Sequence, residues 1–78
     1  MNNYFVFDTN TLISALFNEE SSSGQALKTA RTSGTLLVSN EIIEEYIIVF
    51  SREKFNRWVN METRIDFIEN IIGNSNYY

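Results

Sequence analysis

Near its start the chain carries four strand-forming residues, Tyr4-Phe5-Val6-Phe7, with no polar position among them, and the run stops at Asp8. An uninterrupted apolar run of this length predicts a short strand buried on both faces, the kind used in parallel sheets. Leu12, Ile13, Leu16 and Phe17 then fall on one face of a helix. Asp8, Thr9 or Asn10 can each cap the free backbone N–H groups at its start. A polar turn over 18–24 leads to a short helix over 25–33, with Ala26, Leu27 and Ala30 as a narrow apolar stripe and Gly34 placed to stop it. Thr35-Leu36-Leu37-Val38 begins the same unit again: an apolar run, a polar break at Ser39-Asn40 with cap character, and a helix.

That third helix, over 41–52, is apolar at Ile42, Ile43, Tyr46, Ile47, Ile48, Val49 and Phe50, more than one face accommodates. Glu41, Glu44 and Glu45 crowd its first turns, where an exposed acidic side chain favours the helix dipole by about 0.3–1 kcal/mol. Phe55 and Trp58 are expected to plug the side of the core. Their pairing with Arg also resembles a base-stacking site, the less favoured of the two readings. A last helix starts at Asn60, presents Met61, Ile65, Ile68 and Ile72 on one face, and stops at Gly73. Residues 74–78 show no pattern and are expected to form a frayed polar tail.

The elements read β-α-α-β-α-α, and two buried strands joined by about 26 residues of helical pattern form a right-handed parallel crossover. The fold class is therefore α/β with a short parallel sheet. Two parallel strands leave open edges beside apolar residues, a dimerisation hazard. The pattern looks like the first half of an α/β domain, with the rest supplied by another copy or another chain.

Composition narrows the chemistry. At 78 residues the chain is one domain, burying roughly 60% of its unfolded surface. Its 44% hydrophobic content is that of a folding protein. It has no cysteine, which excludes disulfides and thiolate metal sites and suits a reducing cytoplasm. It has no histidine either, so catalysis would rest on carboxylates, amides, hydroxyls, Lys or Arg. The net charge of −4 argues against a general nucleic-acid coating surface. Four of the six basic residues, Arg52, Lys54, Arg57 and Arg64, nonetheless lie close together, with a solvated helix face as the favoured reading. The start of the chain lacks the basic and apolar regions of a signal peptide, and no apolar run approaches a membrane span.

Asp8 between a strand and a helix is commonly only an N-cap. It also stands at a strand's carboxyl end, where open α/β sheets bind ligands. A Glu in the helix after the second strand would be its neighbour if the strands are adjacent. Two carboxylates without His or Cys favour hard cations such as Mg2+ or Mn2+.

Phe5-Val6-Phe7-Asp8-Thr9-Asn10 with Leu12-Ile13-Ser14-Ala15 resembles the opening of PIN-domain ribonucleases, the toxin components of many bacterial toxin–antitoxin pairs (VapC-like). The block from Leu37 to Phe55, containing Ser39, Glu44 and Glu45, resembles the family's second strand and helix. The resemblance implies a PIN-like, three-layer α/β/α arrangement over residues 1–73, as the N-terminal half of the family's fold. It implies a Mg2+- or Mn2+-dependent endoribonuclease acting on RNA, with an antitoxin protein as partner, and here possessing a truncated site. It makes Asp8 the first metal-binding, catalytic carboxylate and Glu45 the second, with Glu44 the alternative, and it gives Asn10 and Ser39 site-shaping roles. Tyr46 departs from the family pattern, in which Leu is commoner. The family's later acidic motifs have no equivalent here, so an ion would be weakly held. No residue is assigned to RNA contact. The alternative to an enzyme is a non-catalytic module that self-associates or pairs with an antitoxin or a complementary half.

Overall fold

The computed structural model describes residues 3–77. In order they form β1 (Asn3–Phe5), α1 (Thr9–Phe17), α2 (Ser22–Ser33), β2 (Gly34–Val38), α3 (Asn40–Phe50), a 3₁₀ helix (Glu53–Arg57), α4 (Met61–Gly73) and β3 (Ser75–Tyr77). The sheet is parallel throughout, ordered β1-β2-β3, with Phe5 level with Leu36 and Val38 level with Tyr77. The α/β class with a parallel sheet is as read from the sequence.

The third strand is a correction. Ser75–Tyr77, expected to fray, instead pair with Leu36–Val38. Polar residues carry no hydrophobic signal for a strand, yet the free edge of β2 offers unpaired N–H and C=O groups that any backbone can satisfy. Tyr78 lies outside the described residues.

A second correction concerns β1. Along a strand the side chains alternate between faces. Phe5 and Phe7 pack against the core cluster, whereas Tyr4 and Val6 are 59% and 54% exposed. In β2, Leu36 and Val38 are buried and Thr35 and Leu37 only half so. Both crossovers step in the same direction across the sheet. Right-handed connections then lay their helices on one face, and the described residues cover that face alone.

The core joins Leu36 and Val38 to Leu12 and Ala15 of α1, Leu27 and Ala30 of α2, Tyr46 and Phe50 of α3, and Ile68 and Ile71 of α4. The helix starts follow from their caps: Asp8, Ser21, Ser39 and Asn60 each accept a bond from a backbone N–H three residues on. Gly34 does stop α2, by close approach and not by a special backbone angle. A Cβ there would come within 2.4 Å of the Asn3 carbonyl oxygen and of the Phe5 ring.

Arg64 overturns the expectation of a solvated basic face. It is fully buried on α4. Its Nη1 donates to the carbonyls of Phe50 (3.1 Å) and Arg52 (2.7 Å), its Nη2 to Asn56 Oδ1, and its Nε to the Asn60 carbonyl (3.5 Å). The guanidinium also lies 5.8 Å from the Phe55 ring centroid. It thereby satisfies the Phe50 carbonyl, which has no helical partner at the negative end of α3, and adds a second donor to the Arg52 and Asn60 carbonyls, which already accept from the Phe55 and Arg64 N–H groups.

Arg64→Met is expected to lower stability by about 2–4 kcal/mol, since it strands the Phe50 carbonyl and removes the donors to Arg52 and Asn56. Arg64→Lys should recover little of this, because an ammonium cannot reproduce the planar fork. Urea denaturation of the three proteins measures both.

Candidate functional site

Extending the β1–β2 register past Phe5 and Leu36 sets Asp8 level with Ser39. Each then caps the helix that follows its strand. Asp8 Oδ1 accepts from the Thr11 N–H at 2.8 Å, and Ser39 Oγ from the Ile42 N–H at 3.3 Å. Two helix N-termini, each a partial positive charge, thus stand side by side at the carboxyl edge of the sheet.

Asp8 is exposed. The Thr11 backbone N–H, and secondarily the Thr11 side chain, hold its carboxyl below the ordinary value of 3.8, against a small opposing effect of burial. Asp8 is therefore ionised at neutral pH. Capping and ligand binding are not exclusive, because one carboxylate has about four acceptor sites and the cap bond takes one oxygen.

Tyr46 ties α3 to this edge. It is buried, and its hydroxyl donates to the carbonyl of Phe7, the residue before Asp8, at 2.6 Å. A Leu at position 46 would fill the core and leave that carbonyl without this donor. The tyrosine at this position thus adds a bond across to the carboxyl end of β1 that a Leu could not make, and its signal in the sequence is a hydroxyl on a core-facing helix position, which needs a partner.

Glu44 and Glu45 are both exposed on α3. At about 100° per residue, Glu45 flanks the Tyr46 direction while Glu44 lies about 160° from it, on the side of the helix away from the core. Asn10 is exposed in the first turn of α1. Thr9 beside it is buried, with no partner for its hydroxyl among the described residues. Sequence reading counted Thr9 only as a possible cap. Asp66 and Glu69 are exposed on α4. Among the described residues, no three carboxylates gather closely enough to hold a metal ion.

Asp8→Asn is expected to keep the cap, changing stability at pH 7 by less than about 0.5 kcal/mol, whereas Asp8→Ala should lose about 1 kcal/mol. The folded-state pKa of Asp8 is depressed, so its ionised cap contributes above the ordinary value of 3.8 and is lost as pH falls through the lowered one. The asparagine variant should lack that acid-side loss. Urea midpoints measured against pH for the three proteins check both statements.

No curated protein and no solved structure gives a significant match to the chain. The family model described as PIN domain matches residues 4–76, from the first residue of the Tyr4–Phe7 run through the second residue of β3. That match includes both strand-end caps, both crossovers and almost all of the described structure, and on it the chain belongs to the PIN domain family.

Proposed function

We propose that this protein acts as a toxin-type, VapC-like endoribonuclease that hydrolyses phosphodiester bonds of RNA with Mg2+ or Mn2+. Family membership points to nuclease activity in general. The observation that carries the finer reading is Asp8: an exposed, ionised carboxylate at the carboxyl end of β1, level with Ser39 and beside two helix N-termini. The donors available there are all oxygens, which suits a hard cation. Asp8 and Glu45 would hold it, and Asn10 and Ser39 would shape the site around it. Mg2+ sites commonly use one or two carboxylates with water completing the shell, so two carboxylates fit a weakly held ion. When bound, such an ion neutralises phosphodiester charge and acidifies water. The helix N-termini attract a phosphate to the same edge.

No described helix is long and apolar enough to cross a membrane. Within the proposal the protein works in the cytoplasm, under the control of a cognate antitoxin.

The test is cleavage of single-stranded RNA by the intact chain. Activity should require Mg2+ or Mn2+, stop with chelator, and stop with Asp8→Asn. Cleavage that persists in that variant belongs to a contaminant and sinks the proposal.

A second reading, the interaction module, is favoured by one observation. β1 pairs only with β2 among the described residues, and Tyr4 and Val6 beside its open edge are exposed. This reading expects a dimer or larger species by sedimentation, unaffected by Asp8→Asn and dispersed by Val6→Lys. A monomer across the micromolar range refutes it.

A further inference from the structure

Trp58 is 64% exposed, although the neighbouring aromatic of the same turn, Phe55, is buried. Of the two aromatics Phe55 alone is buried, and the largest side chain of the segment is left at the surface. Phe17, at the end of α1, meets both rings: edge-on to Phe55 at 5.5 Å between centroids, and tilted against Trp58 at 6.2 Å. Phe17, Trp58 and Val59 line a cleft of about 370 Å³, within the roughly 300–1,000 Å³ range of ligand sites.

Two cations lie on the aromatic rings beside this cleft. The Arg57 guanidinium lies over the Trp58 ring at 5.5 Å, and the Lys54 ammonium lies over the Phe55 ring at 5.2 Å. Arg52 is exposed on the same segment. The single carboxylate between residues 52 and 60 is Glu53. None of the three cations forms a salt bridge among the described residues, where the ion pair found is Lys28–Glu20. Arg64 takes no part, being buried under the turn. A chain with ten acidic and six basic residues thus places Arg57 on its exposed tryptophan and carries Lys54 and Arg52 on the same short segment.

We infer that this corner is a stacking platform for single-stranded nucleic acid, with a base on Trp58 beside Phe17 and the flanking phosphates on Arg57, Lys54 and Arg52. Every base offers a π-face, so an exposed aromatic among cations binds single strands with little sequence preference. A purely apolar partner would gain nothing from three unpaired cations at the rim. A polyanion carrying flat rings uses both features. The choice of RNA as the polymer rests on the ribonuclease reading. About 13 Å of helix separates the platform end of α1 from its Asp8 end, so the platform contacts nucleotides away from the scissile bond.

Trp58 is the only tryptophan and reports on its own surroundings. The intact chain is titrated with a short single-stranded RNA of mixed sequence in EDTA, so that binding is scored without cleavage. Saturable quenching of tryptophan emission is expected, with affinity falling as salt rises. By anisotropy of a labelled RNA, Trp58→Ala should bind roughly tenfold more weakly and Trp58→Phe should retain most affinity. Circular dichroism confirms that each variant is folded. Absence of quenching, equal quenching by inorganic polyphosphate, or RNA binding indifferent to Trp58→Ala overturns the inference. So does a blue shift of emission that grows with protein concentration without RNA, which marks a protein interface. Quenching retained by a protein that never cleaves RNA defeats the ribonuclease proposal and leaves the platform standing.

Discussion

The whole arrangement depends on β2 being a central parallel strand. A buried central strand cannot turn to water and needs partners on both edges to satisfy its backbone, and β2 finds them in β1 and β3. Each parallel pair requires a crossover long enough to return the chain to the same end of the sheet. The two crossovers are the helix pairs α1–α2 and α3–α4. Because both step in one direction, the helices bury Leu36 and Val38, and the face carrying Tyr4 and Val6 stays open. The same parallel geometry brings both strand-to-helix turns to one edge, which is why Asp8 and Ser39 lie level with each other.

Stability and site chemistry share residues here. Asp8 is a cap and an ionised carboxylate at once, and the bond that makes it a good cap is also what depresses its pKa. The Tyr46 hydroxyl holds α3 against the Phe7 carbonyl, so core packing and the placement of the Asp8 turn are linked through one side chain. Arg64 clamps the opposite end of α3 through backbone carbonyls of Phe50 and Arg52. In a domain this small, where total stability is a modest sum, an anchor within α3 at Tyr46 and another at its C-terminal end leave little freedom in the element that carries Glu45.

Much of this was legible in the pattern of residues. The Tyr4–Phe7 and Leu36–Val38 runs and the caps at Asp8, Ser39 and Asn60 are local signals, set by backbone geometry within a few residues. The readings that failed were those requiring knowledge of neighbours. Phe55 and Trp58 are both large aromatics three residues apart, and hydrophobicity ranks them alike. Their opposite fates depend on where the 3₁₀ helix meets α1 and α4. Arg64 looked like one more exposed cation, because sequence cannot show that the unpaired Phe50 carbonyl awaits it in the core, with the Arg52 carbonyl and the Asn56 side chain beside it.

The sequence by itself determined the α/β class, the strand-to-helix units, the resemblance of two motif blocks to the PIN family, and the helix cap at Asp8. Those follow from periodicity, capping and motif spacing, which are properties of short stretches. Only the tertiary structure decided that Ser75–Tyr77 form a strand, that Tyr4 and Val6 face outward, that Tyr46 bonds to the strand end, and that Trp58 is left at the surface. Each of these depends on which groups another segment leaves unpaired or uncovered, and that is settled when the chain packs as a whole. Asp8 and Ser39 were each readable alone; that they stand side by side is a consequence of the parallel register of β1 and β2.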